Sequence, residues 1–388
     1  MEMGICYGGI PSRVHNNSMG IRGYDYVEFY VGSAKHVASW HAKAMGLDFV
    51  AYSGPETGDR NKISFLMASP VQPSFKILIS SSITPDNYDI QSFTQKHGDG
   101  VKRWTVEVDD VNHTFAKAIK NGAVPILEPY KISDDDGFIE QASIKLYDSC
   151  EINFINYDNY KGLFRPGFEK PRQEWVVSRE ETNLKGIDHI VGNVNINEMD
   201  YWSSYINSAL DFETFIHFGP GDISTQYSSL VSKVVRSKDD VIKNPINEPY
   251  EGIKISQIEE YIKEYRGSGI QHIAILTTDI IDTVTNLRKN GVEFLATPPQ
   301  AYYDNIASQE FGLEEDIKKL QENGILIDVE GKGYLLQIFT KPIGDRPTFF
   351  YEIIQRRKGA SGFGQGNFQA LFEAIEVEQG LRGNLDRD

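Results

Sequence analysis

The sequence has little cysteine, no long apolar run and no excess of basic residues. Of its 388 residues only Cys6 and Cys150 are cysteines, which excludes a disulfide framework and predicts a reducing, cytoplasmic compartment. No apolar stretch reaches the roughly 18 residues of a membrane-spanning helix. Residues 1–20 lack the basic and apolar parts of a signal peptide. No membrane association is therefore expected.

The negative net charge argues against nucleic acids and anionic membranes as binding partners. There are 55 Asp and Glu residues against 39 Lys and Arg, which gives a formal net charge of -16. Nucleic acids and anionic membranes attract clustered Lys and Arg, so neither is an expected partner of this acidic chain. The length predicts two or three domains, each long enough to bury a hydrophobic core.

An internal repeat divides the chain into two halves. Residues 23–31 match residues 186–194, and each segment precedes a helical pattern that contains a Trp. Further along, residues 98–106 match residues 267–275 at nearly the same offset. Each half contains two units in which a strand is followed by an amphipathic helix and then by more strands. The repeat predicts an α+β protein with four βαβββ units in two tandem domains.

Composition predicts where the two domains meet. Residues 159–184 are rich in Pro, Gly and charged residues, which is typical of a linker between domains. We therefore predict an N-terminal domain over residues 1–158, a linker over residues 159–184 and a C-terminal domain over residues 185–388.

Three side chains that could bind a metal occupy matched places in the second half. His189 and His272 each lie in the first strand of a unit, and Glu352 lies in the last strand of the last unit. A Glu within an apolar strand costs free energy unless it is paired or bound to a metal. Two His and one carboxylate leave three positions open on an octahedral metal, which suits non-haem Fe(II). Zinc is the main alternative, although it more often closes a tetrahedral site.

The first half provides an internal control for this site. At the places of the two histidines it has Tyr26 and Arg103, and at the place of the glutamate it has either Asn153 or Ile155. We therefore expect the N-terminal domain to hold no metal. The remaining histidines lack support from the repeat and are expected to be structural: His15, His36, His41, His97, His113 and His217.

Seven motifs in the same order resemble the 4-hydroxyphenylpyruvate dioxygenase family. The resemblance covers nearly the whole chain and is strongest from Gly186 to Leu385. It implies the vicinal-oxygen-chelate fold, which glyoxalases and extradiol dioxygenases share, and one Fe(II) per chain bound by His189, His272 and Glu352. The N-terminal half is less typical of the family, so it is given no catalytic role. The motifs occupy residues 186–193, 244–249, 256–258, 269–274, 333–340, 345–356 and 362–368.

The resemblance also implies an activity in tyrosine and phenylalanine catabolism. The family's substrate is 4-hydroxyphenylpyruvate, an aromatic 2-oxo acid, which reacts with O₂ to give homogentisate and CO₂. The reaction combines oxidative decarboxylation, ring hydroxylation and migration of the side chain. No separate 2-oxoglutarate is needed because the 2-oxo acid is part of the substrate. A homo-oligomer, either a dimer or a tetramer, is expected.

Family positions imply further residues of the substrate pocket. Gln337 and Phe339 are two residues apart on one predicted strand, so they share a face and fit a pocket floor. Ser232, Asn247 and Gln257 match positions that form a polar network around the substrate. These five residues are the predicted catalytic residues in addition to the metal ligands.

Gln271 also matches a family position, but its neighbour on the strand is His272. Alternation along a strand points adjacent side chains to opposite faces, so Gln271 is expected to face away from the metal. We therefore predict only a supporting role for Gln271 in the substrate pocket.

The C-terminal residues predict a helix that covers the active site. Asn367 is a plausible N-cap and Gly380 a plausible end of the helix. Three glycines within residues 362–366 predict a flexible approach to it. In the family this helix lies over the iron, and Phe363 and Phe368 line the pocket. The predicted apolar face consists of Phe368, Leu371, Phe372 and Ile375.

Three alternative functions are compatible with this sequence pattern. A 4-hydroxymandelate synthase shares substrate, metal ligands and fold but oxidises the benzylic carbon, so only product analysis separates it fully. A ring-cleaving extradiol dioxygenase is disfavoured by residues 245–249 and by the Phe-rich C-terminal helix. A non-catalytic ligand-binding protein of the same fold would not need intact ligands for a redox metal, and a measurement of bound iron would identify it.

Overall fold

The computed structural model describes residues 17–171, 175, 177–219, 229–250, 252–309 and 311–385. Cys6 and His15, which enter the predictions above, lie outside these residues. No helix in the described ranges is both long and apolar enough to cross a membrane.

The first half forms one eight-stranded sheet with the strand order β2-β3-β4-β1-β5-β8-β7-β6. Its helices are α1 (Ala34–Lys43), α2 (Tyr88–His97) and α3 (Val111–Lys120). Its strands are β1 (Ile21–Tyr30), β2 (Asp48–Ser53), β3 (Lys62–Ala68), β4 (Lys76–Ser82), β5 (Gly100–Val108), β6 (Pro125–Asp134), β7 (Gly137–Leu146) and β8 (Cys150–Asn156).

The second half repeats this arrangement in the order β10-β11-β12-β9-β13-β16-β15-β14. Its strands are β9 (Ile187–Asn193), β10 (Glu213–Phe218), β11 (Ser229–Arg236), β12 (Lys243–Tyr250), β13 (Gly269–Leu276), β14 (Leu326–Glu330), β15 (Gly333–Phe339) and β16 (Phe350–Arg357). Its helices are α4 (Met199–Leu210), α5 (Gln257–Tyr265), α6 (Ile280–Lys289), α7 (Gln300–Ala307), α8 (Ile317–Asn323) and α9 (Phe368–Arg382).

The identical strand orders confirm the predicted α+β architecture of four βαβββ units. In each half the first strands of the two units pair antiparallel at the centre of the sheet, β1 with β5 and β9 with β13. Residues of these strands alternate between an apolar core and the concave face of the sheet. Each concave face is therefore a place where polar side chains from several strands can meet.

One apolar core joins the two halves. The ring of Phe29 packs edge-on against that of Phe349, with 5.0 Å between ring centroids. His41 is fully buried there, and its Nε2 lies 3.0 Å from the Tyr351 hydroxyl. Burial lowers the pKa of His41 to about 4, so this histidine is neutral near pH 7. His41 thus behaves as the structural histidine that the sequence predicts.

The predicted linker is packed against the first half rather than extended. Phe164 is almost fully buried and its ring meets that of Tyr26 at 5.4 Å between centroids. Phe168 adds a second aromatic contact on Phe164. These aromatic residues bury apolar area against the concave face of the first sheet, which a free spacer could not do. The interior of the first half is thus partly filled by its own chain.

Candidate metal centre and substrate cavity

His189, His272 and Glu352 meet on the concave face of the second sheet. They lie on β9, β13 and β16, which are adjacent strands. Both His189 and Glu352 pair with Ala274 of the central strand, and His272 lies two residues before Ala274 on the same face. Sheet pairing therefore brings together three side chains that are far apart in the sequence.

The geometry of these three side chains suits a divalent metal. Oε2 of Glu352 lies 3.3 Å from Nε2 of His189 and 3.3 Å from Nε2 of His272. The three ligand atoms lie within 4.8 Å of one another, and all three residues are buried. No other such group of His, Cys, Asp or Glu occurs in the described part of the chain. Two imidazoles and one carboxylate form a donor set that transition metals of the first row prefer.

The residue before each histidine orients its imidazole. Oδ1 of Asp188 lies 2.7 Å from Nδ1 of His189, and Oε1 of Gln271 lies 2.9 Å from Nδ1 of His272. An acceptor at Nδ1 keeps the proton there, so Nε2 is free to bind a metal. Each predicted ligand thus has the outer hydrogen bond that metal-binding histidines usually make.

Two β-bulges place these orienting residues beside their histidines. The pairing of β9 with β13 shifts register between Ile270 and His272 and again between Ala274 and Ile275. Gln271 is the extra residue at the first shift, and Asp188 is the extra residue at the second. The prediction that Gln271 faces away from His272 is therefore wrong, because a bulge interrupts the alternation on which it rests.

Arg356 connects the metal site to the segment before the C-terminal helix. Its Nε and Nη2 donate to the two Asp188 oxygens at 2.8 and 2.7 Å. Its Nη1 donates to the Gly362 carbonyl at 2.7 Å. The guanidinium also lies 5.9 Å from the ring of Phe363, whose ring in turn contacts that of His189 at 5.1 Å. Arg356 therefore contacts both Asp188, which orients the His189 ligand, and Phe363, which lines the cavity.

The ionisable groups of this site shift one another's pKa values. Burial opposes ionisation of Asp188, but the hydrogen bonds and charge of Arg356 hold the pKa of Asp188 well below its usual range. Burial also opposes ionisation of Glu352, yet the two imidazoles keep its pKa below the ordinary value. Burial lowers the pKa of His272, whereas the carboxylates of Glu352 and Asp188 outweigh burial and raise that of His189. The site thus presents ionised carboxylates to a cation.

The register of the first sheet identifies the counterpart of Glu352. Thr105 pairs with Asn153 in the first half as Ala274 pairs with Glu352 in the second. Of the two residues that the sequence left open, Asn153 therefore occupies the corresponding position. With Tyr26 and Arg103 it forms a set that offers no imidazole and no carboxylate to a metal.

A cavity of about 610 Å³, counted to include its opening, adjoins the metal ligands. Seven predicted pocket residues line it together with the three ligands: Ser232, Asn247, Gln257, Gln271, Phe339, Phe363 and Phe368. The remaining lining residues are mostly apolar, as expected of a pocket that binds an aromatic ring: Val191, Phe218, Leu230, Val234, Pro245, Phe350, Leu371 and Phe372.

A row of polar side chains crosses the cavity wall away from the metal ligands. Ser232 of β11 pairs with Asn247 of β12, and Asn247 pairs with Asn193 of β9. The Asn247 amide donates to Oδ1 of Asn193 at 3.3 Å. Asn193 lies four residues after His189 on β9, which corresponds to about 13 Å along the strand. The cavity therefore has a metal-binding end and a polar end.

Gln337 differs from its prediction. It lies on the same face of β15 as Phe339 and is buried, but it does not line the cavity. Gly364 lies directly over its amide, so closely that a Cβ at Gly364 would overlap Gln337. Neither amide atom of Gln337 has a hydrogen-bond partner among the described residues. Gln337 is thus a buried amide without hydrogen-bond partners among the described residues, and the backbone at Gly364 covers it.

The C-terminal helix α9 forms one wall of the cavity through Phe368, Leu371 and Phe372. Two details differ from the predictions. The side chain of Asn367 does not cap the helix but accepts a hydrogen bond from the Tyr302 hydroxyl at 2.7 Å. The helix also passes Gly380 and ends at Arg382, where Gly383 caps it with a φ of 75°, the left-handed conformation that glycine favours.

The segment before α9 is hydrogen-bonded through its backbone to two carboxylates. The backbone N–H groups of Ser361 and Gly362 both donate to Oε2 of Glu330 at 2.8 Å. The N–H of Gly366 donates to Oδ1 of Asp328 at 3.2 Å. The glycines here allow close approach to these carboxylates, because a Cβ would crowd them. Two carboxylates thus bind three backbone N–H groups of this segment.

Sequence reasoning did not assign roles to Asp188, Arg356 or Asn193. All three lie inside the quoted motifs, but strand alternation offered no reason to place Asp188 beside its neighbour. A signal for Asp188 was present, because it directly precedes a predicted His ligand, as Gln271 precedes His272. Arg356 carried no such signal, since its partners lie on other elements.

Comparisons with known proteins find relatives that match nearly the whole chain. Residues 186–327 match the family model described as Glyoxalase/Bleomycin resistance protein/Dioxygenase superfamily. The chain is 42% identical to the 4-hydroxyphenylpyruvate dioxygenase of Coccidioides posadasii over 94% of both chains. It is 43% identical to the 4-hydroxyphenylpyruvate dioxygenase of Yarrowia lipolytica over 96% of both chains.

A solved structure shares the fold along nearly the whole chain. It is a mutant of 4-hydroxymandelate synthase from Streptomyces coelicolor, which superposes with a TM-score of 0.79 at 26% identity. The match covers 92% of this chain and 98% of that one. This relative is less similar in sequence than the two dioxygenases.

Proposed function

The chain belongs to the 4-hydroxyphenylpyruvate dioxygenase family, and we propose that it converts 4-hydroxyphenylpyruvate and O₂ to homogentisate and CO₂. The observation that carries this proposal is the buried His189, His272 and Glu352 group at the end of an aromatic cavity. A sequestering protein of this fold would need the cavity but not three ligands for a metal.

We propose Fe(II), one per chain, as the resident metal on His189, His272 and Glu352. The donor set fits, since it supplies two imidazole nitrogens and one carboxylate and leaves room for exogenous ligands. The chemistry that Fe(II) supplies when bound is the activation of O₂ beside a chelated 2-oxo acid. We assign the metal to the C-terminal domain of residues 185–388. We infer that the N-terminal domain of residues 1–158 binds none, because Tyr26, Arg103 and Asn153 offer no imidazole and no carboxylate at the corresponding positions.

The substrate is expected to span the two ends of the cavity. Its 2-oxo acid group belongs at the ligand end, and its phenol hydroxyl belongs at the polar row that includes Ser232 and Asn247. Gln257 at the start of α5 can contribute another hydrogen bond there. Fixing both ends of a rigid aromatic acid positions the ring carbon that must react, which is the main contribution a protein makes to such chemistry.

Aromatic side chains shape the space between these ends. Phe339 lies with its ring 6.1 Å from that of His272, and Phe363 contacts His189 from another side. Phe368 and its neighbours on α9 close the cavity. Their role is to hold the substrate ring and to exclude water while a strong oxidant is present.

The deciding experiment identifies the product. The full-length protein is loaded with Fe(II) without oxygen, given 4-hydroxyphenylpyruvate and then exposed to O₂. We expect homogentisate and one CO₂ per O₂ consumed. Formation of 4-hydroxymandelate would favour the alternative that the Streptomyces coelicolor relative represents, and no turnover despite stoichiometric bound iron would contradict an enzymatic role.

Phe339→Leu should loosen the placement of the substrate ring. The smaller side chain removes an aromatic surface beside His272, so the ring can rotate before it reacts. We expect turnover to fall about tenfold, which corresponds to about 1.4 kcal/mol, with part of the product oxidised at another carbon. Initial rates of O₂ consumption measure turnover, and product chromatography identifies the carbon that is oxidised. An unchanged rate with homogentisate alone would show that Phe339 does not control the ring.

Deleting residues 368–388 should uncouple the reaction without removing the metal. The deletion removes Phe368, Leu371 and Phe372 from the cavity wall and admits water, but all three ligands precede the cut. We expect iron content to be retained and homogentisate formation to fall by at least about tenfold. The optical absorption of the iron with bound 2-oxo acid should persist.

A shorter deletion of residues 386–388 is the matched control, because it leaves α9 complete. It should retain the full rate. Circular dichroism of both proteins shows whether a lower rate comes from removal of α9 from the cavity or from unfolding of the domain. A folded protein without residues 368–388 that forms homogentisate at the full rate would contradict the role assigned to α9.

We further propose a cytoplasmic homo-oligomer. The compartment is supported by the low cysteine content, and Cys150 is buried as a free thiol. Light scattering on the purified protein distinguishes a dimer from a tetramer, and a monomer at micromolar concentration would contradict the assembly.

A further inference from the structure

A second and larger cavity lies in the first half of the chain. It measures about 860 Å³ with its opening. Arg103, which occupies the position of His272 in the repeat, forms part of its floor with Glu28 and Tyr30. The cavity thus faces the concave side of the first sheet, as the metal site faces that of the second.

The charges on the floor of this cavity pair with one another, although Nε of Arg103 has no hydrogen-bond partner among the described residues. Nε of Arg103 lies 3.3 Å from a Glu28 oxygen, and its Nη2 donates to the Tyr30 hydroxyl at 3.0 Å. Glu28 also accepts a hydrogen bond of 2.8 Å from the Ser80 hydroxyl. These groups form a polar base that needs no further charge.

The rim is not satisfied in this way. Lys62 and Arg165 both line the cavity, and neither forms an ion pair with another described residue. Arg165 makes only a 3.5 Å contact with the Tyr26 hydroxyl and lies over the rings of Phe164 and Phe168. Burial, followed by the charge of Arg165, lowers the pKa of Lys62. Two cations thus line the same cavity in an otherwise acidic protein.

The carboxylates that face Lys62 do not neutralise it by contact. Glu28 is occupied by Arg103 and Ser80. Asp59 lines the cavity, but its Oδ1 accepts the backbone N–H groups of Asn61 and Lys62 at 3.0 and 3.1 Å. The rim therefore has two cationic side chains, Lys62 and Arg165, that contact no carboxylate among the described residues. The phenol of Tyr130 lies on the same cavity wall.

We propose that this cavity binds a small dianion whose oxygen atoms bridge Lys62 and Arg165. A guanidinium can hold two oxygens of one carboxylate or phosphate, and an ammonium adds a point charge beside it. The polar lining favours a small dicarboxylate or a phosphate compound over an apolar ligand. The site is separate from the metal centre and does not depend on the proposed reaction.

Calorimetric titration of the iron-loaded full-length protein tests this site. Inorganic phosphate and succinate are the two probes, and they distinguish a phosphate site from a dicarboxylate site. We expect one equivalent of at least one probe to bind with a dissociation constant of about 1 mM or lower. Lys62→Gln and Arg165→Gln should each weaken that binding at least about tenfold, or about 1.4 kcal/mol.

Lys35→Gln is the matched control, since Lys35 is an exposed cation on α1 outside the cavity. It should leave binding unchanged. Saturable binding that survives in both cavity variants, or no saturable binding of either probe to the unaltered protein, would overturn the proposal. Neither Lys62 nor Arg165 touches the metal centre, so both variants should form homogentisate at the full rate, which also shows that they are folded.

Discussion

Glu352→Ala is expected to abolish homogentisate formation while the protein stays folded. The carboxylate is the one anionic ligand, and its Oε2 lies 3.3 Å from each of the two imidazole nitrogens. Its loss removes a third of the donor set and the charge that attracts the cation. We expect at least a thousandfold lower rate, about 4 kcal/mol, and low iron occupancy. His189→Ala and His272→Ala should have similar effects.

Asn153→Ala is the internal control for this experiment. Asn153 occupies the position of Glu352 in the first half and is equally buried. The Asn153→Ala variant should have unchanged iron content, because no metal-binding group occurs among the described residues of the first half. Iron analysis, circular dichroism and product chromatography on the same samples provide the measurements. Full activity in any of the three ligand variants, with iron supplied, would refute the assignment of the metal site.

The fold and the position of the metal site follow from the sequence for one physical reason. A duplicated pattern of strands fixes the order of the sheet, and alternation along β9, β13 and β16 fixes the face on which a side chain lies. Glu352 follows this alternation, and the bulges beside His189 and His272 leave both histidines on the same face as Glu352. Their meeting on one face was therefore predictable without knowledge of any contact.

The details that were not predictable depend on local departures from regular structure. The bulges that turn Gln271 and Asp188 toward the histidines depend on the pairing of two strands, which neither strand specifies alone. Gln337 follows the alternation correctly, but Gly364 covers it, and a strand pattern contains no information about a distant loop. The hydrogen bonds of Glu330 to the backbone before α9 likewise arise from tertiary contact.

The supports of the two imidazoles differ in charge. His189 is backed by the ionised Asp188, which is itself held by Arg356, whereas His272 is backed by the neutral amide of Gln271. An anionic acceptor at Nδ1 makes an imidazole a stronger donor to a metal than a neutral acceptor does. The two histidines are therefore not equivalent. Arg356, which binds Asp188 behind His189, also donates to the Gly362 carbonyl in the segment before α9.

Arg356→Gln is expected to weaken Fe(II) binding roughly ten- to a hundredfold, as loss of an outer hydrogen bond at metal sites commonly does. It removes the bidentate contact that holds Asp188 and leaves that buried carboxylate without a cation. Arg357→Gln is the matched control, because Arg357 is the next residue and pairs with Glu315 instead. A competition titration against a chelator measures the affinity.

The two functions of Arg356 can be separated by a second variant. Asp188→Asn removes the charge behind His189 but leaves the donation of Arg356 to the Gly362 carbonyl in place. Asp188→Asn should therefore weaken iron binding, while each bound iron still forms homogentisate efficiently. Arg356→Gln should in addition lower the homogentisate formed per O₂ consumed at saturating iron, because Phe363 loses its support. If both variants form the same amount of homogentisate per O₂ consumed, Arg356 acts only through Asp188. If both bind iron with wild-type affinity, Asp188 does not affect iron binding.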